Sequence, residues 1–159
     1  MSNTMALSLS QTTAATFENL AMLFPESVLT PEQKAEPLDV GVSVDFRGPL
    51  TGRLVLRASQ CVLPAIAANM LGEEESRQIP LQRDALGELA NVICGNILPI
   101  VAGADAVFHL AAPVVHAEDQ RPSRDDDAPE ARVTFGIEDG RVEAQFFVFA
   151  DSAVTVGAT

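Results

Sequence analysis

The sequence predicts an α+β fold in which antiparallel hairpins form one sheet and helices pack on one of its faces. Residues 38–58 and 131–150 alternate apolar and polar side chains around tight-turn sequences, which is typical of hairpins. Other segments repeat apolar residues at helical spacing. Because the strands come in hairpins and the helices lie between them, an α+β arrangement is favoured over alternating parallel units.

The first half of the chain predicts a helix, a hairpin and a second helix. A helix is expected within residues 12–25, after a flexible N-terminus at residues 1–10; its apolar stripe is Phe17, Leu20, Ala21 and Phe24. The stretch LTPEQKAEP follows as a polar linker. LDVGVSVDF then predicts a half-exposed strand, GPLTG a turn and RLVLRA its hairpin partner. Ser59 is placed to cap the helix QCVLPAIAANML, which Gly72 ends.

The second half predicts a helix followed by three strands. GEEESRQIP is a charged, exposed connection, and a helix is expected from about residue 82 to 98. AVFHLAAPVVHAE predicts a strand, and DQRPSRDDDAPE a polar loop at a hairpin tip. ARVTFGIE and RVEAQFFVFA flank the tight-turn pair Asp139-Gly140. The tail DSAVTVGAT either adds a short strand or frays.

Length and charge restrict the class of protein. The 159 residues suit one compact domain over residues 1–159, and the formal net charge is −12. Nucleic acid and anionic membranes are not expected partners, because both require clustered cations. Cys61 and Cys94 lie in apolar surroundings and are predicted to be buried free thiols. No basic, apolar leader begins the chain, so a cytoplasmic location is expected.

Residues 97–115 are apolar and long enough to raise the question of a membrane span. The segment contains Pro99, Gly103, Asp105, His109 and Pro113, and a charged side chain in mid-span is costly. A helix end, a short loop and a buried strand therefore explain it better.

The helix DALGELANVICGN carries a line of polar or small residues. At about 100° per residue, one narrow stripe contains Asp84, Glu88, Asn91 and Gly95. Leu86, Leu89, Ile93 and Ile97 fall on the opposite side. Such a stripe can be an ordinary solvent face. However, asparagine and glycine are poor helix formers, and the small rim residues Ala85 and Gly87 would let another protein approach closely.

An exposed Glu88 and Asn91, three positions apart, suit one chemistry in particular. A carboxylate can pair with a lysine of a partner. An amide has both a donor and an acceptor and can orient a water molecule for in-line attack on a phosphoryl group. No residue of tuned pKa is then required, provided that the partner supplies the phosphoryl-bearing carboxylate and the metal.

The pattern Asp84-x-x-x-Glu88-x-x-Asn91, followed by a strand with Pro113, resembles the CheC/CheX/FliY phosphatases of bacterial chemotaxis. VGVSVDFRGPLTGRLVLRAS looks like the first hairpin of that family, and AIAANMLGE like the helix after it. CheC- and FliY-type members carry two such helices and CheX carries one. Here the first helix has Glu18 and Ala21 where a second site would need the Glu-x-x-Asn motif, so the resemblance is to CheX.

The resemblance implies hydrolysis of phospho-aspartate on a CheY-like receiver domain. Glu88 would pair with a receiver lysine and Asn91 would position the attacking water, while Asp84 and Gly95 would contact the partner. Mg²⁺ would be bound by the receiver, so no cofactor is expected on this chain. The family also implies a homodimer, for which unpaired strand edges offer a route.

Two alternatives stay open at the level of sequence. The same helix could bind a receiver or a flagellar-switch component without catalysis, or the stripe could be plain solvent face. His109 and His116 are expected on opposite faces of one strand and predict no shared metal site. The acidic runs Glu73–Glu75 and Asp125–Asp127 are expected to be solvated. No nucleotide-binding or serine-hydrolase motif is present.

Overall fold

The computed structural model describes residues 2–116 and 128–149. The helices are α1 (Ser2–Thr16), α2 (Pro31–Ala35), α3 (Leu63–Leu71) and α4 (Ile79–Ala102), with a π-helical turn at Phe17–Ala21 and 3-10 turns at Gln60–Val62 and Glu75–Arg77. The strands are β1 (Val40–Arg47), β2 (Gly52–Ala58), β3 (His109–Leu110), β4 (Val114–His116), β5 (Ala131–Ile137) and β6 (Gly140–Val148).

These six strands form one antiparallel sheet in the order β3-β1-β2-β6-β5, and β4 also pairs with β1. Since β2 occupies the other side of β1, β3 and β4 share its outer edge. Helix α1 packs on β5 and β6, and α4 packs on β1 and β2. The predicted α+β class, with antiparallel hairpins and helices on one face of the sheet, is confirmed.

The main core lies between the helices and the sheet. Alternate residues of the strands face it, as the sequence pattern predicts, and the helices contribute a matching apolar stripe. Its large, fully buried side chains include Phe17, Phe46, Phe146, Leu54, Leu56, Leu86 and Leu89. The rings of Phe46 and Phe146 stack at 5.3 Å between centroids and so join β1 to β6 across the central strand β2.

The opposite face of the sheet is less exposed than the alternation in β1 predicts. Asp45 is exposed, as expected, but Gly41 and Ser43 are buried. The side chain of Arg57 lies over Gly41, and Ser43 Oγ is 2.7 Å from His116 Nε2. Val55, Phe147 and Phe149 form a second small buried cluster on this face.

The N-terminal helix begins much earlier than the sequence predicts. Helix α1 starts at Ser2, and Leu9 is fully buried, so the expectation of a flexible segment at residues 1–10 is wrong for this part. The buried side of the helix includes Thr12, Thr13 and Thr16, whose polarity hid the periodicity. Phe24, placed in the predicted stripe, is instead 72% exposed.

The stretch predicted as a polar linker contains the short helix α2. Thr30 and Gln33 form a capping box: the Thr30 side chain accepts from the Gln33 backbone N–H, and the Gln33 side chain accepts from the Thr30 backbone N–H. Pro31 occupies the first turn, where its missing N–H costs nothing. The capping residues and the proline were visible in the sequence and could have predicted this helix.

The strand predicted across residues 106–118 is split into β3 and β4. Pro113 lies in the break, where it cannot donate to a strand ladder. At the other hairpin, the tight turn is confirmed but consists of Glu138 and Asp139, because Gly140 already pairs with Ile137. Asp125–Asp127 and the tail lie outside the described residues.

Helix α4 is, by length and composition alone, long and apolar enough to cross a membrane. Half of its most apolar 18-residue window is buried within the fold, and a core helix gives the same signal. Residues 97–115 end this helix, turn and form β3 and the start of β4. The predicted helix end and loop are present, but β3 and β4 are largely exposed, so the prediction of a buried strand is wrong. Burial against the sheet accounts for the apolar side chains of α4 as far as Leu98, whereas Ile100 and Val107 are exposed.

Candidate functional site on helix α4

Helix α4 is the longest of the described helices, with 24 residues. Pro80 lies in its first turn, and Gly103, with a φ of 98°, ends it. The helix continues through Pro99, which does not terminate it. Its apolar stripe is fully buried, as predicted, and consists of Leu86, Leu89, Ile93 and Ile97.

The predicted polar stripe lies on the outer face of the same helix. Asp84, Glu88 and Gly95 are exposed, and Asn91 is half-buried. Neither the Glu88 carboxylate nor the Asn91 amide makes a side-chain hydrogen bond to another residue in the described part of the chain. Both groups are thus held by a packed helix and remain available to a second molecule.

The small residues that flank this stripe are not open to a partner, as the sequence predicts they would be. Ala85 is 2% exposed and Gly87 is buried. A Cβ on Gly87 would lie 3.2 Å from Cβ of Pro113, so the space left by the glycine is filled by this chain. Gly95 does face open space, because a Cβ added there would have no atom of the described residues within 4 Å.

A cleft of about 270 Å³ lies between α4 and β4, next to Glu88, and is called the α4–β4 cleft below. Its helix wall is polar and its strand wall apolar; the lining residues are Arg83, Asp84, Gly87, Glu88, Pro113 and Val115. The Nε atom of Arg83 is buried without a hydrogen-bond partner among the described residues. Sequence reasoning missed Arg83 and Val115, because their proximity depends on where β4 lies.

The two histidines do not form a site together. His109 is exposed on β3, whereas His116 on β4 contacts Ser43. Partial burial, together with the positive charge of Arg53, lowers the pKa of His116 below the ordinary value of 6.5, against a smaller opposing effect of Asp45. This histidine therefore favours its neutral form in the folded protein.

The cysteines differ from each other, and the prediction that both are buried is wrong for Cys61. Cys94 is fully buried on α4, and this burial, with a smaller contribution from Asp45, raises its pKa to about 12. Cys61 is exposed, and its pKa is raised by local desolvation and by the nearby carboxylates of Glu36 and Asp139. Thiolate chemistry is therefore not available beside the polar stripe.

The described ranges contain no group of three or more His, Cys, Asp or Glu side chains placed to hold a metal ion. Glu73 and Glu74 are exposed, as expected for a solvated run. Two larger clefts, of about 400 and 310 Å³, open beside the β1–β2 turn and between α1 and α4, respectively. Residues of the polar stripe line neither of them.

The geometry thus presents a carboxylate and an amide, one turn apart, on a rigid outer helix face. An exposed carboxylate can bind a cationic side chain, and an amide can donate to one atom while accepting from another. Both actions are non-covalent and require a reacting group on a second molecule.

A profile of the family described as "Chemotaxis phosphatase CheX" matches residues 40–136, which is more than half of the chain. The chain therefore belongs to the CheX family of chemotaxis phosphatases. No curated protein sequence matches it significantly.

Solved structures share this fold at low sequence identity. The chemotaxis protein CheX from Vibrio vulnificus superposes with a TM-score of 0.71 at 19% identity, covering 91% of this chain and 96% of that one. A CheX-CheY-BeF3-Mg complex from Borrelia burgdorferi gives 0.66 at 17% identity, with coverages of 89% and 96%. FliY from Thermotoga maritima gives 0.58 at 18% identity, with coverages of 98% and 93%.

Proposed function

We propose that this protein accelerates the hydrolysis of phospho-aspartate on a CheY-like receiver domain. The observation that carries the proposal is the exposed Glu88 and the unpaired amide of Asn91 on one face of α4, in a chain of the CheX family. The similar Borrelia burgdorferi structure is a complex of CheX with CheY, BeF3 and Mg²⁺, which supports a receiver as the partner.

In this mechanism Glu88 docks on a lysine of the receiver, and the Asn91 side chain enters the receiver site. The amide hydrogen-bonds a water molecule in line with the bond between phosphorus and the aspartyl oxygen. Attack forms a bond from the water oxygen to phosphorus and breaks the bond between phosphorus and the aspartyl oxygen. The products are inorganic phosphate and the free receiver carboxylate. Mg²⁺ is supplied by the receiver and stabilises the developing charge on the phosphoryl oxygens.

Asp84 and Gly95 have partner-contacting roles in the same proposal. Asp84 adds a second carboxylate one turn before Glu88, and Gly95 leaves a flat surface one turn after Asn91. A flat position allows the receiver backbone to approach the helix closely. Residence in the cytoplasm and a homodimer belong to the proposal as well, and a sizing column measures the second.

Asn91→Ala tests the mechanism directly. We expect a loss of acceleration of roughly 100-fold or more, because the attacking water is no longer oriented. Phosphate release from a phosphorylated receiver is followed with wild-type protein, with Asn91→Ala and with Asn96→Ala as the matched control. Asn96 is an exposed asparagine of the same helix outside the polar stripe, so its variant should behave as wild type. Full activity in Asn91→Ala would refute the mechanism.

Glu88→Gln separates docking from chemistry. Loss of the charge-assisted hydrogen bond should raise the KM for the phosphorylated receiver about tenfold or more, with little change in kcat. If kcat falls and KM stays constant, Glu88 acts on the reaction and does not dock the partner.

A receiver-binding module without catalysis is the second candidate. It is favoured by the polar stripe itself, because Glu88 and Asn91 make no side-chain hydrogen bonds to other described residues and could bind a partner without any reaction. Measurable binding to a receiver, with phosphate loss no faster than the receiver alone, would select this candidate.

A further inference from the structure

Gly87 occupies a position where a helix gains nothing from glycine. It lies inside α4, far from either end, and glycine is among the poorest helix-forming residues. Its φ is not in the left-handed region, so the backbone does not require glycine. The explanation must therefore come from what lies next to it.

Pro113 fills the space above Gly87. A Cβ at position 87 would lie 3.2 Å from Cβ and 3.6 Å from Cγ of Pro113, and the first distance is tighter than ordinary packing. Pro113 directly precedes β4, which pairs with residues 41–43 of β1. Gly87 and Pro113 are therefore in contact at the point where the chain enters β4.

The same contact lies at the α4–β4 cleft. Gly87 and Pro113 both line it, together with Glu88 of α4 and Val115 of β4. A side chain at position 87 would push Pro113 outward and change the width of this cleft. The half-buried Asn91 lies one turn further along and does not line the cleft.

We propose that Gly87 is a positioning residue: by letting Pro113 lie directly against α4, it sets the width of the α4–β4 cleft in which the receiver contacts Glu88. This inference rests on the proposed phosphatase function. It assigns the cleft, rather than the exposed helix face alone, as the surface that recognises the receiver. Its action is on docking and not on the water held by Asn91.

The test compares Gly87→Ala and Gly87→Leu with wild type in the receiver dephosphorylation assay. Both residues form helices better than glycine, so the helix itself is not weakened. We expect kcat/KM to fall about fivefold for alanine, whose Cβ requires Pro113 to move by only a few tenths of an ångström. For leucine we expect a fall of roughly 100-fold, since a misplacement of about 1 Å can cost that much. The loss should appear in KM, while kcat changes less than about twofold.

Thermal unfolding and amide exchange distinguish positioning from a damaged fold. The melting temperature of Gly87→Ala should equal or exceed that of wild type, as should that of Gly95→Ala, which adds a methyl group in open space. Hydrogen exchange at the β4 amides of residues 114–116 should accelerate in Gly87→Leu, because β4 is displaced.

A double variant tests whether the effect passes through Pro113. In a Pro113→Gly background, Gly87→Ala should cost less than about twofold in kcat/KM, compared with about fivefold in the natural background. Equal costs in the two backgrounds would overturn the inference, as would an unchanged KM in both single variants while Asn91→Ala is inactive. If wild-type protein itself does not accelerate phosphate loss, the proposed function fails and the inference with it.

Discussion

Two residues in the same row of helix α4 differ in whether another segment covers them. Gly87 and Asn91 are four positions apart on α4, yet Gly87 is covered by Pro113 and Asn91 keeps a free side chain. Their burial follows from how far β4 reaches along the helix. A helical wheel predicts a common face, and the neighbouring segment decides which part of that face stays open.

Thr13 is a buried polar residue that lowers the stability of the folded protein. Its side chain is fully buried in α1, and its hydroxyl has no hydrogen-bond partner among the described residues. A buried, unsatisfied hydroxyl destabilises the folded state, because it loses its bonds to water on folding.

Thr13→Val should therefore raise the free energy of unfolding by about 1 kcal/mol, since valine has the same shape without the hydroxyl. The measurement is chemical denaturation followed by circular dichroism. Thr16→Val is the matched control, because Thr16 Oγ1 donates to the Thr12 carbonyl oxygen at 2.8 Å. The explanation fails if the two variants change stability equally.

At the scale of elements, the outer edge of β1 is covered by two short strands instead of one long strand. β3 pairs with the end of β1 and β4 with its beginning. Between them, Ala111 N still donates to the Asp45 carbonyl oxygen, at 2.9 Å. The break therefore occupies only residues around Pro113, which places that proline against α4.

Gly41 in β1 and Gly52 in β2 should tolerate an added methyl group very differently, although they lie in the same hairpin. A Cβ on Gly52 would clash with the Phe147 carbonyl oxygen and lie 2.6 Å from the Phe46 ring, whereas a Cβ on Gly41 would have Arg57 Cγ as its nearest neighbour, at 3.6 Å. Gly52→Ala should lower the free energy of unfolding by about 2 kcal/mol or more. Gly41→Ala should stay within about 0.5 kcal/mol of wild type.

Urea denaturation of the two variants measures this difference. Both substitutions add the same methyl group to a strand, so any change in strand propensity is shared between them. Equal stability of the two variants would contradict this prediction. It would mean that β2 and β6 can move apart around Gly52 without a loss in the free energy of unfolding.

At the scale of the whole molecule, the two halves of the chain are joined through one core. Each half contains a helix and a hairpin, and β2 pairs with β6 where the halves meet. Helix α1 packs on the hairpin of the second half, and α4 packs on the hairpin of the first. Neither half can separate without exposing apolar surface, so opening of the core should be cooperative.

The two thiols provide a measurement of this cooperativity. Cys61 is exposed and should react with a thiol reagent in the native protein, and its reaction should accelerate as the pH is raised, because the raised pKa keeps it mainly in the thiol form near neutral pH. Cys94 is fully buried, with a pKa raised to about 12, and should react only after unfolding. Labelling followed by mass spectrometry, with and without denaturant, counts the modified thiols.

A Cys61→Ser variant isolates the second thiol. Its native form should remain unlabelled, and its labelling rate in low denaturant should follow global unfolding. Rapid labelling of Cys94 without denaturant would show that α4 opens locally, which contradicts a single cooperative core.

Local pattern in the sequence determined the class of fold, the two hairpins and the line of polar residues on α4. These features depend on a period of two in the side chains of Val40–Arg47 and of about 3.6 in those of Ile79–Ala102, although the burial of β1 alternates only in its second half. The helical period alone was sufficient to place Glu88 and Asn91 on one face of α4. The roles of these residues remain a prediction.

Only the tertiary structure decided which faces are covered and by what. Gly87 and Pro113 are far apart in sequence, Cys61 is exposed despite apolar neighbours, and the threonines of α1 are buried despite their polarity. The physical reason is that burial depends on segments that meet only after folding. Periodicity reports one face of one element, whereas the α4–β4 cleft exists because a proline-broken edge strand returns to lie beside the helix.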